Sequence, residues 1–265
     1  MANHELLKRI EAAKHAVLAQ TELLHREFGR AESRWTSDGT RVTAVDVAIS
    51  ENIFRELAAQ FSDDQFFSEE LAETDAPIPV TAEFSWVLDP IDGTNNFALG
   101  IPHCAISLGL CVRGEPVYGV IYDLARRATI HGGPGFGVWD MEAPARVRPE
   151  LPQAQSLVGF HTPTRRAEAE AGKAVFENFK IRGLGSSTLH LAYTAVGLLN
   201  GVVEYNNKVW DIAAAAALVA EGGGELHFLS VAPFPMREFT LKAPPVQYVA
   251  GNPAMCRALL SGLGR

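Results

Sequence analysis

The sequence predicts a mixed α and β protein in two parts, an α+β half over residues 1–145 and an α/β half over 146–265. Three observations carry this. Apolar residues recur at helical spacing through the first thirty positions, then give way to short apolar runs of strand length. Residues 104–122 alternate around Arg113-Gly114-Glu115-Pro116, a hairpin pattern. Beyond the Pro- and Arg-containing stretch 143–153, strand and helix patterns take turns. No repeat, low-complexity tract or long linker separates the halves, so they are expected to pack as one body.

Leu6, Leu7, Ile10, Ala13, Val17 and Leu24 define one long helix over 4–28. Asp38-Gly39 marks a turn, and Val45, Ile49, Ile53, Phe54 and Leu57 share a side of a second helix. Phe66-Phe67 and Trp86-Val87-Leu88 read as buried strands, each running into carboxylates. A strand pair surrounds the glycines of 132–137, which lack the G-x-G-x-x-G order of a nucleotide loop. The second half reads as strand Leu157–Phe160, helix Arg165–Phe179, strand Lys180–Gly183, helix 187–199 and strand Val202–Tyr205. Helix Asp211–Glu221 and strands 225–229 and 246–250 follow. A last helix opens with Asn252 as its cap and Pro253 at its first position.

Composition excludes several functions. The 265 residues are 47% hydrophobic and 20% charged, ordinary for a globular chain with a sizeable core. Lys and Arg number 23 against 31 Asp and Glu, a net charge of −8 without a basic stripe, which argues against a nucleic-acid partner. No apolar run approaches the roughly 20 residues that span a bilayer, and Met1–Arg30 has no secretory core. Cys104, Cys111 and Cys256 stand in apolar surroundings and read as reduced, buried thiols of a cytoplasmic protein; no Cys/His spacing suggests a zinc motif.

The informative feature is a set of acids at the ends of apolar segments: Asp46, Glu69-Glu70, Asp89, Asp92 and Asp211. Taken singly, each has a plainer reading. Asp89-Pro90-Ile91-Asp92-Gly93 is a good tight turn, Glu69-Glu70 a solvated loop, Asp211 a helix cap and Asp46 a surface residue on an amphipathic helix. Together they suit a hard cation such as Mg²⁺, which takes oxygen ligands and tolerates buried acids that would otherwise repel. Asp89, Asp92 and the Ile91 carbonyl lie close enough in sequence to share one site, and Gly93 lets backbone approach a ligand. A helix starting at Thr94-Asn95 would offer its N–H groups to phosphate.

Trp86-Val87-Leu88-Asp89-Pro90-Ile91-Asp92-Gly93-Thr94-Asn95-Asn96-Phe97 resembles the first signature of the inositol monophosphatase family. Trp210-Asp211-Ile212-Ala213-Ala214 with Glu221-Gly222-Gly223 resembles the second. Val42-Thr43-Ala44-Val45-Asp46 and Ser68-Glu69-Glu70 fall in the family's order, and Gly185-Ser186-Ser187 looks like its substrate-contacting turn. The resemblance spans about residues 5 to 250 and implies a five-layer αβαβα sandwich.

It also implies a lithium-sensitive Mg²⁺-dependent phosphomonoesterase of two or three ions, cytoplasmic and homodimeric, with a small phosphorylated substrate and neither nucleic acid nor membrane as partner. Glu69, Asp89 and the Ile91 carbonyl would hold one ion. Asp89, Asp92 and Asp211 would hold a second, and a third would sit near Glu69 and Asp46. Glu69 and Thr94, the latter oriented by Asp46, would activate water. Gly93 and Thr94 would bind phosphate, and Ser187 and Glu204 the rest of the substrate. Inositol monophosphate is the default substrate; histidinol phosphate and fructose 1,6-bisphosphate are alternatives, and Glu204 disfavours 3′-phosphoadenosine 5′-phosphate. A catalytically silent binding or scaffold homologue is the reading from another class. Many members carry Lys and Pro in the loop where this chain has Thr36 and Arg41. Lys208 has no assigned role, and His103, His131, His161 and His190 are expected to be structural or superficial.

Overall fold

A computed structural model describes residues 2–35, 41–71 and 76–265. Thr36 and the Asp38-Gly39 turn lie outside the described residues. Two large sheets face a shared layer of helices. The first has seven strands in the spatial order 143–144, 137–140, 128–133, 115–123, 105–112, 84–92 and 65–68. Every neighbouring pair in it is antiparallel except the last, where Gln65–Ser68 runs parallel to Phe84–Asp92. The second has five strands in the order 180–182, 157–160, 201–207, 246–251 and 225–228. Its first three strands are parallel and its last three antiparallel.

Helices Ser187–Ala195 and Val209–Glu221 lie between the sheets and touch both. Helices Ala2–Leu18 and Ala44–Gln60 cover the outer face of the first sheet, and Lys173–Asn178 with Pro253–Gly262 that of the second. The order of layers is therefore αβαβα, as the resemblance implies. The Val209–Glu221 helix can sit this close because the strands beneath it carry glycine. A Cβ on Gly119 would stand 2.1 Å from the Ala214 carbonyl oxygen. Its apolar residues, among them Ile212, Ala214 and Leu218, are buried against Ile121, Leu191 and Tyr248.

Several expected elements are divided or shifted. The helix expected over 4–28 breaks into Ala2–Leu18 and Thr21–Glu27. Thr21 Oγ1 donates to the Leu18 carbonyl at 2.8 Å, and Gln20 N bonds back only three residues to Val17, so the last turn tightens and stops. The helix expected over 165–179 is divided at Gly172, a poor helix former, into Arg166–Ala171 and Lys173–Asn178. The final helix starts as expected, with Asn252 Oδ1 accepting from Met255 N at 2.9 Å. The small pairs 33–35 with 41–43 and 78–79 with 238–239 gave too few residues for any pattern. All three cysteines are free and buried, and among the described residues no helix is long and apolar enough to cross a membrane.

Candidate metal and phosphate site

The strand Phe84–Asp92 brings the first two acids together by a local irregularity. Strand side chains alternate between faces, so residues three apart should point oppositely. Here Asp89 pairs with Ser107 while Asp92 pairs with Ala105, three steps on one strand against two on its neighbour. This bulge at Pro90-Ile91 turns both carboxylates to one side, and Pro90, with no N–H to place in the ladder, suits it. Ile91 anchors the bulge with a fully buried side chain, and its N–H donates to Asp89 Oδ1 at 3.0 Å.

Gly93 follows with φ +87, a left-handed conformation that would strain any other residue. A Cβ there would meet the His103 carbonyl oxygen at 2.8 Å. The chain then enters the short helix Thr94–Leu99. Asp211 arrives from the second half, in the first turn of Val209–Glu221. The helix expected to open at Asp211 opens two residues earlier, so Asp211, expected as a metal ligand with a helix cap as the plainer alternative, is the third helical residue. Its Oδ2 accepts the Lys208 N–H at 2.8 Å, which fixes the carboxylate across the helix start. Oxygens of Asp89, Asp92 and Asp211 all lie within 4.8 Å of one another.

Asp46 approaches from the Ala44–Gln60 helix. Thr43 caps this helix, its Oγ1 accepting from Val45 N at 3.1 Å, while Asp46 Oδ2 accepts from Thr43 N at 2.8 Å and Thr43 Oγ1 at 2.5 Å. This is a capping box, worth about 1 kcal/mol or more to the helix. It also clamps Asp46, which is fully buried and not on the surface, so that Oδ1 faces Thr94 Oγ1 at 3.2 Å. Thr94 Oγ1 is also 2.8 Å from the Ile91 carbonyl. One hydroxyl proton serves one of these acceptors at a time.

Glu69, Glu70, Asp89, Ile91, Asp92, Asp211 and Gly93-Thr94 line a single cleft of about 400 Å³, with Trp35 and Arg41 at its wall. A larger groove, about 820 Å³ along the first helix, mixes Lys8, Arg9 and His15 with Glu5, Glu11 and Glu56 and gathers no converging set of like charge.

The cleft's electrostatics are those of buried acids held close to one another. Burial pushes the Asp89 carboxyl well above its ordinary range, and Glu69, Asp92 and Asp211 push it further. Glu69 is raised in the same way, by burial first and then by Asp211 and Glu70. Asp211 is raised by burial and Asp92. Asp92 is raised by burial against the opposing pull of Ser186 and Thr188. Asp46 is pushed up to about 6, chiefly by burial. Buried, mutually repelling carboxylates take up protons or a cation, and an all-oxygen set of this kind fits a hard divalent ion.

Two expected substrate contacts are not among the residues that line the cleft. Glu204 is fully buried and absent from the cleft wall. One of its oxygens lies 2.5 Å from His190 Nδ1 and the other 3.3 Å from His161 Nδ1. A carboxylate on a strand within the sheet must find partners inside the protein, and these histidines supply them. Ser187 is half-buried and also absent from the wall. Its neighbour Ser186, placed by the resemblance in the substrate-contacting turn, donates from Oγ to Asp92 Oδ2 at 2.6 Å. The same oxygen accepts Thr188 N at 2.6 Å, and Thr188 Oγ1 donates to the Asp211 carbonyl at 2.8 Å. Lys208 reaches away, its Nζ donating to the carbonyls of Leu241 and Ala243. Thr43-Ala44-Val45-Asp46 has the spacing of a capping box and was the signal that could have placed Asp46.

A model of the inositol monophosphatase family matches residues 2–257. Inositol monophosphatase 2 of Homo sapiens is 32% identical over 198 residues, covering 71% of this chain and 68% of that protein. Nus factor SuhB of Xylella fastidiosa is 36% identical over 193 residues, covering 68% and 69%. Among solved structures, the extragenic suppressor protein suhB of Bartonella henselae superposes with a TM-score of 0.85 at 24% identity, covering 97% of this chain and 99% of its own. The Thermotoga maritima IMPase gives 0.82 at 23%, covering 97% of each. At such identities these two likenesses speak for the fold.

Proposed function

This chain belongs to the inositol monophosphatase family, and from that premise we propose that it is a Mg²⁺-dependent phosphomonoesterase acting on a small polyol or sugar phosphate, inositol monophosphate first. One observation carries the reading: Asp89, Asp92 and Asp211, from two distant segments, converge on a cleft shared with Glu69. Glu69, Asp89 and the Ile91 carbonyl would hold one ion; Asp89, Asp92 and Asp211 would hold a second, and Glu69 with Asp46 a weaker third. Bound Mg²⁺ supplies a more acidic water and charge stabilisation at the leaving oxygen.

The chain's own groups do the rest. When the Ile91 carbonyl is engaged by a ligand, the Thr94 hydroxyl turns its proton to Asp46 Oδ1 and keeps its lone pairs free for the attacking water. Asp46, clamped by Thr43, then stands at the end of that proton path, with Glu69 beside it. Gly93 and Thr94 N–H groups seat the phosphate oxygens. Ser186 and Thr188 hold Asp92 in place and are positioning residues.

A hydrolysis panel of inositol monophosphate, histidinol phosphate, fructose 1,6-bisphosphate and 3′-phosphoadenosine 5′-phosphate with Mg²⁺ tests the proposal. The nucleotide stays in the panel because Glu204, once the argument against it, is turned towards its histidines. Turnover of none of the four would sink the enzymatic reading. Inhibition by Li⁺ is part of it, and indifference to millimolar Li⁺ would count against the metal arrangement. So is a homodimer, which light scattering checks. A second reading, a binding role beside or instead of hydrolysis, rests on the relatives named Nus factor. It predicts that partner binding survives Asp89→Asn, which removes hydrolysis.

A further inference from the structure

The edge strand Glu225–Phe228 presents two different faces. Leu226 and Phe228 pack inward against the cluster that contains Leu218 and Tyr248. Glu225 and His227 alternate with them and therefore point to the outer face, where the Pro253–Gly262 helix packs on the same strand. Cys256 sits in the first turn of that helix, fully buried. One donor atom each from Glu225, His227 and Cys256 lies within 4.8 Å of the other two. None of the three belongs to the cleft.

We propose that Glu225, His227 and Cys256 form a second metal site, selective for Zn²⁺ or a similar borderline divalent ion, with water as the fourth ligand. The donor set decides the class of metal. Thiolate, imidazole and carboxylate are the ligands of zinc, whereas Mg²⁺ wants oxygen alone. Tetrahedral zinc with bonds of about 2.0–2.3 Å needs its donors roughly 3.3–3.8 Å apart, a spacing that small side-chain movements reach from here. Access is also suitable: the His227 and Glu225 side chains are 43% and 42% exposed, so an ion and its water enter from solvent while the sulfur closes the site from within.

The three groups contact one another and nearby carbonyls. His227 Nε2 lies 2.7 Å from Glu225 Oε2, and the Cys256 S–H reaches the Glu225 and Gly251 carbonyls at 3.6 Å. Burial holds the Cys256 thiol up at about 12, so a bare site keeps its proton. Loading releases that one proton to solvent, forms the metal–sulfur bond and moves the imidazole proton from Nε2 to Nδ1. The metal then ties the C-terminal helix to the sheet edge. Sequence spacing hides the site because strand and helix, not a short motif, bring the ligands together.

Co²⁺ titration of the metal-stripped, untagged full chain in excess Mg²⁺ is the test. A thiolate-to-cobalt charge-transfer band should saturate at one equivalent. It should vanish in Cys256→Ser and in the exposed-site variant His227→Ala, whose fold does not depend on a buried side chain. It should persist in Asp211→Asn, which lies in the cleft. Zn²⁺ should raise Tm in the wild type and lose that effect in His227→Ala. No band in the wild type, or a band that survives His227→Ala, overturns the site and leaves a plain edge-strand His–Glu hydrogen bond beside a buried thiol.

Discussion

His190 and Glu204 meet through one buried hydrogen bond whose direction is fixed by a third residue. The Leu184 N–H donates to His190 Nε2 at 2.9 Å, so Nε2 carries no proton and Nδ1–H donates to the Glu204 carboxylate at 2.5 Å. Both histidines favour the ionised carboxylate, and Glu204 is held below its ordinary range despite complete burial. Leu184 immediately precedes the Gly185-Ser186-Ser187 turn, and its carbonyl accepts from Asn96 Nδ2 at 2.8 Å. Glu204 thus supports, through His190, the turn that delivers Ser186 to Asp92.

Replacing His190 by Ala should therefore cost on the order of 3–5 kcal/mol, since it takes the closer of two partners from a buried carboxylate and strands the Leu184 N–H. Glu204→Gln should lower kcat similarly for an inositol phosphate and for p-nitrophenyl phosphate, which has no polyol. Urea melts and paired kinetics check this. A rise in KM confined to the polyol substrate would restore Glu204 as a direct substrate contact.

Asp89 and Asp92 were legible because the loop Asp89–Thr94 is contiguous and its chemistry local, and Asp211 was tied to them by the family resemblance. The means of their convergence was not. Alternation alone sends Asp89 and Asp92 to opposite faces, and only the neighbouring strand's register reveals the bulge that reunites them. Likewise the partners of Glu204 sit on another strand end and an interlayer helix, and no local pattern marks a histidine as facing a carboxylate inside a fold. The helix break at Gln20 depends on a single threonine hydroxyl. The elements were legible because apolar periodicity is a property of whole segments, and their layering came with the family resemblance, whereas caps, bulges and tautomers turn on one atom.

Asp89→Asn should lower kcat by about 10³-fold, the equivalent of roughly 4 kcal/mol of lost transition-state charge stabilisation. The metal-free variant should nonetheless melt above the metal-free wild type at pH 8, because one repelling charge has gone. Initial rates and calorimetry read the two effects, and retained activity would remove Asp89 from the metal set.

The raised cleft carboxyls also set the pH dependence of metal stabilisation. A carboxyl raised in the folded state binds more protons there than when unfolded, so its contribution to stability falls as pH climbs from about 4 through the raised value. Mg²⁺ removes that repulsion. The rise in Tm on adding Mg²⁺ should be larger at pH 8 than at pH 5.5, where protons already serve as counter-charge. An equal rise at both values would mean that the ion binds away from these acids.

Gly119→Ala tests whether the interlayer helix positions Asp211. The added Cβ would lie 2.1 Å from the Ala214 carbonyl oxygen and 2.6 Å from its carbon, backbone atoms that cannot swing aside. The Val209–Glu221 helix must shift, at a cost of about 3 kcal/mol, and Asp211 moves with its first turn. The Mg²⁺ concentration for half-maximal activity should rise several-fold. A variant destabilised to that degree but unchanged in its Mg²⁺ requirement would show that Asp211 is held by its own hydrogen bond to Lys208 alone.

His131 provides the opposite sign. Burial, helped by the Lys14 ammonium, holds its pKa down at about 4 against an ordinary 6.5, with Nδ1 at 2.8 Å from the Tyr118 hydroxyl. The unfolded chain therefore binds the extra proton first, and stability present above 6.5 is lost as pH falls towards 4. The full shift discounted for a half-buried ring leaves about 1–2 kcal/mol. In His131→Gln that slope should flatten, so the urea midpoints of variant and wild type should draw together as pH drops from 7.5 to 5. Parallel midpoints across this range would mean that the His131 ring stays open to protons in the folded protein.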